Sequence, residues 1–225
     1  MDIEVVRKAP LFAGLDDEST SALLKFMKPR SLRRGTVLFR EGDDGDELYI
    51  VATGKVKIGR ESSDGRENLL SVAGPTEIIG ELTLFAPGPR SSTVTAISQT
   101  ELLSLRHEDL LTWLQERPQA AMNLLRALAL RLRKTNDTVG DLVFQDVPGR
   151  VAKALLDLAD RFGKPAPDGV HVAHDLTQEE LAQLVGASRE TVNKALADFA
   201  QRGWLRLEAR AVVLLDVDRL RHRAA

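Results

Sequence analysis

The chain contains no cysteine, and this absence excludes several kinds of chemistry. Without thiols there are no disulfides, no thiolate nucleophile, no cysteine-held iron–sulfur cluster and no cysteine zinc site. Among the four histidines only His171 and His174 lie close together, on a predicted extended segment where residues three apart face opposite sides. We therefore expect no metal site. Because no nucleophile elbow, Walker loop or paired-carboxylate arrangement occurs, we also expect no catalytic residue and no enzyme.

Long apolar runs and an excess of one charge are missing as well. No apolar run approaches the roughly 18 residues of a membrane span and the N-terminus lacks a signal-peptide pattern, so we predict a cytoplasmic protein without membrane contact. The 31 basic residues face 33 acidic ones, for a formal net charge of -2. This balance argues against a protein that coats nucleic acid non-specifically, because such proteins are usually clearly basic. Any DNA binding must therefore depend on where individual charges lie.

Residues 176–199 predict two short helices joined by a tight corner. Thr177 and Glu180 have the spacing of a capping box, Gly186 supplies the backbone freedom for a sharp turn, and Ser188 is a suitable N-cap for the second helix. Helical periodicity leaves four polar residues pointing outward from that helix: Arg189, Glu190, Asn193 and Lys194. Arginine, glutamate and lysine recognise base edges, so the pattern favours a helix-turn-helix that reads about three base pairs. An ordinary helical hairpin with a solvated face is the alternative.

Residues 32–106 consist of short β-rich runs separated by glycine-containing turns. Strands are predicted at 36–39, 48–51, 55–58, 68–72 and 93–97, which is typical of a small antiparallel barrel or sandwich.

Residues 79–92 interrupt this β pattern. We predict a single helical turn that begins at Gly80, then a loop rich in proline and glycine that delivers Arg90 and Ser91. Helix N–H groups, a guanidinium and a hydroxyl together suit a phosphate, while Glu81 suits a ribose hydroxyl. A surface turn with solvated charges remains open as the alternative.

Residues 108–144 predict a long helical tract in which Pro118 opens the longer helix, and residues 3–28 predict short amphipathic helices. A heptad seam follows steps of three and four along the tract: Leu125, Leu128, Leu132, Thr135, Val139 and Leu142. This seam predicts a two-fold dimer, although packing against the chain's own β domain is also possible. The polar Thr135 either fixes the register of the seam or bonds something held between the subunits.

Asp146 has the position of an N-cap and marks a domain boundary. After it we predict a helix to Phe162, the two-helix motif, and a hairpin of 205–207 and 212–215 that forms a wing. Arg219, Arg221 and Arg223 are candidates for contacts with backbone phosphates. The predicted domains are therefore 1–116, 117–145 and 146–225.

In this order the features resemble the cyclic-AMP receptor and fumarate-nitrate regulator family of transcription factors, essentially end to end, and most closely its actinobacterial cyclic-AMP receptor members. The most specific segments are Gly80–Leu82 with Arg90–Ser91, Asp146–Arg150 and Val185–Val192. The resemblance implies an α+β fold with an N-terminal jelly-roll-like β-roll, a long dimerisation helix and a C-terminal winged helix-turn-helix. It also implies a homodimeric, sequence-specific DNA-binding regulator under allosteric control by cyclic AMP.

The resemblance further implies a ligand site. Arg90, Ser91 and the amides of Gly80, Glu81 and Leu82 would meet the phosphate of cyclic AMP, and Glu81 would accept the ribose hydroxyl with support from Arg131. Thr135 of one subunit and the partner subunit's Asn136 would meet the adenine edge.

On the DNA side the resemblance implies palindromic GTGA-like half-sites. Arg189, Glu190 and Lys194 would face bases, Ser188 and Thr191 would touch phosphates, and Thr177 and Gln178 would lie at the same surface. RNA polymerase is the implied protein partner, with activation or repression left open. Two alternatives are a DNA-binding regulator that needs no nucleotide and a cyclic-nucleotide-binding module that regulates another protein.

Overall fold

The computed structural model describes residues 3–13, 15–61, 67–86 and 88–225, without the side chains of Glu67, Leu84, Phe85, Arg131, Lys134, Asp137, Thr138, Leu142 and Val143. Three positions of the sequence predictions therefore lie outside the description: Arg131 of the ligand site, Leu142 of the seam and Pro87 of the loop. The chain forms two compact units, Met1–Arg66 with Ser71–Thr135 and Glu67–Leu70 with Asn136–Ala225.

The first unit begins with α1 (Ile3–Lys8), a 3-10 turn (Pro10–Phe12) and α2 (Asp17–Leu24). The Asp16 carboxylate caps α2 by accepting from the Ser19 amide at 2.7 Å. Val6, Phe12 and Leu23 are fully buried, so these helices serve packing. The prediction of short helices in residues 3–28 is confirmed as far as Leu24. Its last residue is wrong, since Lys28 begins a strand.

Two four-stranded sheets follow. In the first, the order is β1 (Lys28–Leu32), β8 (Thr100–Arg106), β3 (Glu47–Thr53) and β6 (Ile78–Ile79). In the second, it is β2 (Val37–Phe39), β7 (Thr93–Ala96), β4 (Val56–Glu61) and β5 (Glu67–Ala73). β8 pairs antiparallel with β1 and β3, and β7 pairs antiparallel with β2 and β4. The five predicted strands are confirmed, whereas β1, β6 and β8 were not predicted.

The central strands β3 and β8 of the first sheet are buried on both faces, whereas the edge strand β1 is exposed up to Leu32. Leu48, Ile50 and Leu105 pack on the N-terminal helices, while Tyr49 and Val51 turn toward the second sheet. Successive residues of β3 thus alternate between two cores, as a pleated strand requires.

Two helices, α4 (His107–Gln115) and α5 (Pro118–Phe144), confirm the predicted helical tract and its interruption. Ala120 and Leu124 in the first turns of α5 are buried, with Trp113 of α4 in the same cluster, so this end packs on its own unit. Further along, three seam residues are more than half exposed: Leu125 at 58%, Leu132 at 63% and Val139 at 57%. In the described part of the chain no helix combines the length and apolar character needed to cross a bilayer.

The second unit contains α6 (Val147–Phe162), β9 (Gly163–Ala166), β10 (Gly169–Ala173), α7 (Gln178–Val185), α8 (Arg189–Gln201), β11 (Leu205–Glu208), β12 (Ala211–Leu214) and α9 (Val217–Ala224). Its antiparallel sheet has the order β11, β12, β10 and β9. The predicted wing is the β11–β12 hairpin, displaced by one residue at three of its four strand ends. Leu155, Val192, Phe199 and Leu214 are among the buried core residues.

Candidate functional sites

A cleft of about 340 Å³, counting its solvent-open mouth, lies in the first unit. Its lining comprises Phe39, Ile58, Ile79, Gly80, Glu81, Leu82, Thr83, Arg90, Ser91, Ser92 and Val94. Its lining is mixed, with five apolar side chains, five polar or charged side chains and Gly80, so polar groups that could orient a ligand converge on the cleft. All five predicted phosphate and ribose residues therefore come together in one cleft.

Arg90 is the cationic member of this lining, and it is buried rather than displayed on a surface loop, with 4% of its surface exposed. Its Nη1 donates to the Gly80 carbonyl at 2.9 Å and its Nη2 donates to the Glu47 carbonyl at 2.7 Å. The guanidinium carbon lies 4.2 Å from the centre of the Phe39 ring. The Arg90 Nε is buried and has no hydrogen-bond partner among the described residues. A buried cation with a spare donor is suited to an anion.

The turn before Arg90 corrects one sequence prediction. α3 (Leu82–Phe85) begins at Leu82 with Glu81 at its N-cap, and not at Gly80. Gly80 instead has φ +78°, in the left-handed region that favours glycine, and its carbonyl accepts from Arg90. Because α3 has only four residues, the guanidinium is the stronger attraction for a phosphate and the helix dipole is the weaker one.

Burial and charge shape the chemistry of the cleft. Glu81 lines it with 2% of its surface exposed, Leu82 is 51% exposed, and Ser91 lies exposed at the rim. Burial lowers the pKa of the Arg90 guanidinium. Burial, followed by the hydrogen bond to Glu47, raises the pKa of the Tyr49 phenol to about 12, so that this ring stays neutral beside the guanidinium.

Thr135 and Asn136 lie outside the cleft lining of the single chain. Both side chains are exposed on α5, next to seam residues Leu132 and Val139. Their assignment to a ligand thus depends on a second subunit.

The second unit confirms the predicted helix-turn-helix in detail. The Thr177 Oγ1 accepts from the Glu180 amide at 3.1 Å while the Glu180 Oε2 accepts from the Thr177 amide at 2.8 Å, which completes the capping box. Gly186 ends α7 with φ +71°, and the Ser188 hydroxyl caps α8 by accepting from the Thr191 amide at 3.2 Å. These local contacts fix the corner between α7 and α8.

All seven residues predicted for DNA contact are exposed: Thr177, Gln178, Ser188, Arg189, Glu190, Thr191 and Lys194. The Gln178 Oε1 accepts from the Arg189 Nη2 at 3.4 Å and from the Asn193 Nδ2 at 3.2 Å. Gln178 therefore restrains Arg189 before any partner arrives. Asn193, predicted to point outward, is half-buried and serves this network.

Arg150 is a residue of this site that the sequence predictions named only within a segment. Its guanidinium donates to the carbonyls of Gln145 at 2.9 Å, Val185 at 3.0 Å and Gly186 at 3.2 Å. One side chain thus ties the residue after α5 to the C-terminal end of α7, where a cation is favourable. No local pattern signals these partners, because up to 36 residues separate them from Arg150.

The predicted phosphate contacts of α9 are only partly compatible with the structure. Arg223 pairs with Asp146, whose carboxylate also caps α6, and this pairing is the main reason that the pKa of Asp146 is lowered. Arg221 pairs with Asp218 at 3.1 Å. The Asp146–Arg223 pair therefore gives Arg223 a structural contact within the unit.

The two close histidines also have separate partners. The His171 Nε2 lies 3.3 Å from a Glu208 carboxylate oxygen, and the buried His174 Nδ1 accepts from the Leu176 amide at 3.1 Å. Over residues 3–13, 15–61, 67–86 and 88–225 there is no group of three or more His, Cys, Asp or Glu placed to hold a metal ion.

The left-handed turn at Gly186 gives a stability prediction. We expect Gly186→Ala to destabilise the chain by about 1–2 kcal/mol, because φ +71° strains a residue with a Cβ. Gly140→Ala is the matched control: it lies within α5 with open space around a new Cβ, so alanine should stabilise by about 0.5–1 kcal/mol. Urea unfolding of both variants measures the two signs, and equal effects would contradict the assigned strain.

Comparison with known families assigns each unit a class. Residues 29–117 match the cyclic nucleotide-binding domain family, and residues 149–223 match the Crp-like helix-turn-helix domain family. The cleft and the α7–α8 motif lie within these two matches. A cyclic-nucleotide-binding domain joined to this helix-turn-helix defines a DNA-binding transcription regulator, not an enzyme.

Individual relatives narrow this class. The chain is 53% identical over 221 residues to the CRP-like cAMP-activated global transcriptional regulator of Mycobacterium tuberculosis (strain H37Rv), covering 98% of this chain and 99% of the relative. It is similar to the crystal structure of Thermus thermophilus catabolite activator protein, at 37% identity and TM-score 0.56, covering 96% and 98% of the two chains. It is also similar to the c-di-GMP responsive global regulator CLP of Xanthomonas campestris, at 30% identity and TM-score 0.75, covering 88% and 99%. The chain belongs to the cyclic-AMP receptor family of transcription regulators, as its sequence predicted.

Proposed function

We propose that this chain is a homodimeric regulator whose sequence-specific DNA binding is controlled allosterically by cyclic AMP. The observation that carries the ligand assignment is the buried Arg90 guanidinium, which lines a small-molecule cleft together with the buried carboxylate of Glu81. A cyclic nucleotide presents one anionic phosphate and one ribose hydroxyl, and these two groups match a cation and a carboxylate in the same cleft.

Different residues of the cleft would bind different parts of the nucleotide. Arg90 and Ser91 would bind the phosphate with the amides of Gly80, Glu81 and Leu82, and Glu81 would accept from the ribose hydroxyl. The adenine would reach α5, where Thr135 and the partner subunit's Asn136 offer hydrogen bonds, and Arg131 would support Glu81. The name of the mycobacterial relative supports cyclic AMP as the effector, whereas that of the Xanthomonas protein shows that other nucleotides occur among similar chains.

The exposed seam of α5 supports the dimer. Leu125, Leu132 and Val139 are spaced by seven residues, and each residue exposes more than half of its surface. A stripe at this spacing is buried when two copies of a helix pair around a two-fold axis. The functional division we propose is therefore 1–116 for the nucleotide, 117–145 for the dimer helix and 146–225 for DNA.

The DNA surface is proposed at the N-terminal end of α8. Arg189, Glu190 and Lys194 would read base edges of GTGA-like half-sites, with Ser188, Thr191, Thr177 and Gln178 on or near phosphates. A two-fold dimer would place two such helices about 34 Å apart on a palindrome. We further propose a cytoplasmic location and RNA polymerase as the protein partner.

The decisive experiment is an anisotropy titration of a fluorescent palindromic duplex at fixed salt, with and without cyclic AMP. We expect cyclic AMP to tighten binding by about 5–150-fold, the usual size of an allosteric coupling. Cyclic GMP and cyclic di-GMP serve as alternative effectors in parallel titrations. Equal affinity with and without every nucleotide would favour a regulator that needs none, and no preference over a scrambled duplex would favour a nucleotide-binding module that regulates another protein.

Arg189 gives a prediction specific to the DNA surface. Arg189→Ala should weaken operator binding by about 1–3 kcal/mol and relax the preference at one base pair, because a bidentate contact to guanine is lost. Arg202→Ala is the matched control, since it removes the same charge just beyond the other end of α8, where Arg202 pairs with Asp198. Equal losses from both variants on matched and mismatched duplexes would show that Arg189 contributes charge only.

A further inference from the structure

We propose that Thr83 is a positioning residue that orients the Arg90 guanidinium toward the phosphate of a bound cyclic nucleotide. The inference rests on the proposed function and adds to it a residue outside the predicted phosphate and ribose set. Thr83 lines the cleft and has 7% of its surface exposed.

Three groups form a closed hydrogen-bonded triangle at this position. The Thr83 Oγ1 donates to the Gly80 carbonyl at 3.2 Å, and the Arg90 Nη1 donates to the same carbonyl at 2.9 Å and to the Thr83 Oγ1 at 3.2 Å. The single hydroxyl proton of Thr83 is used in the hydrogen bond to the Gly80 carbonyl. The hydroxyl oxygen can therefore only accept from the guanidinium of Arg90. The hydroxyl therefore fixes the rotation of the guanidinium plane.

The remaining walls leave the guanidinium little room to turn. A Cβ on Gly45 would lie 2.1 Å from the Arg90 Nε, and a Cβ on Gly80 would lie 2.5 Å from its Nη1. The Phe39 ring stacks on the guanidinium carbon at 4.2 Å. Among the groups around the guanidinium, Thr83 supplies a side-chain hydrogen bond to Arg90, whereas Gly80 and Glu47 contribute backbone carbonyls.

A planar guanidinium binds a phosphate well only when its donors point at the phosphate oxygens. Thr83→Val keeps the shape of the side chain and removes its hydroxyl, so Arg90 should remain buried with less defined donors. Thr83→Ser keeps the hydroxyl and removes a methyl group. The pair separates hydrogen bonding from packing.

Calorimetric titration with cyclic AMP tests the proposal. Thr83→Val should weaken binding roughly tenfold, the effect of one hydrogen bond to a charged group, while Thr83→Ser should stay within about twofold of wild type. Thermal unfolding without nucleotide checks that all variants are folded. In an Arg90→Lys background the valine substitution should have much less effect, because lysine lacks the planar fork that Thr83 orients.

Each contrary result has its own meaning. An unchanged affinity in Thr83→Val, or an equal loss in Thr83→Ser, would overturn the positioning role while leaving the proposed function intact. A full effect of valine in the Arg90→Lys background would show that Thr83 acts without Arg90, which also overturns it. Absence of cyclic AMP binding by the wild-type chain would overturn the proposed function and this inference together.

Discussion

Replacing Arg90 by alanine should lower the affinity of the chain for cyclic AMP by about 30-fold or more, equivalent to 2–5 kcal/mol. The guanidinium is buried, stacks on Phe39 and is the cation of the cleft lining, so its loss would leave the phosphate facing a low-dielectric wall without a countercharge. Arg90→Lys should give an intermediate affinity, since it keeps the charge and loses the planar fork. Isothermal calorimetry with the purified protein measures the effect.

Two controls make the Arg90 result specific. Arg33→Ala removes the same charge from an exposed position of the same unit and should leave cyclic AMP affinity within about twofold, because exposed charges are screened by solvent and salt. Thermal unfolding of Arg90→Ala reports any cost of exposing the Gly80 and Glu47 carbonyls to a void. Unchanged calorimetry for a folded Arg90→Ala variant would contradict the phosphate assignment.

The helix-turn-helix could be predicted from sequence because its signals are local. The capping box of Thr177 and Glu180 acts over three residues, and the left-handed turn of Gly186 is a property of one residue. Neither depends on what the rest of the chain does. The structure therefore reproduces both the predicted start and the predicted end of α7.

The β-roll was predicted only in part because its most buried strand carries no alternation. Leu102, Leu103 and Leu105 of β8 are buried on opposite faces of one sheet, and the polar Ser104 between the last two is buried as well, so the strand does not alternate between an apolar inner face and a polar solvated face. A short run of this kind cannot be told from a buried helix segment by periodicity. The two-residue β6 is shorter still, and its pairing with β3 is set by tertiary contacts.

The burial of Arg90 could not be predicted because it depends on distant glycines. Gly45 lies 45 residues before Arg90 in the sequence and leaves open the space that the Arg90 Nε fills. An arginine beside a proline-rich loop is ordinarily read as exposed, since arginine is rarely buried without partners. Here the partners are the backbone carbonyls of Gly80 and Glu47, and every residue of a chain carries such a carbonyl, so the sequence does not single these two out.

The second large effect is expected at the α5 seam, where Leu132→Glu should convert the proposed dimer into monomers. Leu132 is 63% exposed, and at a seam position of a two-fold pair each copy would approach its own symmetry mate. The substitution would bury two like charges without partners, at a cost of several kcal/mol. The dissociation constant of the dimer should therefore rise at least about 1000-fold. Analytical ultracentrifugation measures the change.

Loss of the dimer should carry over to DNA, because a monomer presents one recognition helix and forfeits the effective concentration that links two half-sites. Operator affinity of Leu132→Glu should therefore fall by at least about 100-fold, the lower end of the gain from linking two sites. Leu130→Glu is the matched control: it places the same charge on the same helix at a residue that is 57% exposed and lies off the seam. A Leu132→Glu chain that still sediments as a dimer, or a Leu130→Glu chain that becomes monomeric, would show that the subunits meet along a different face.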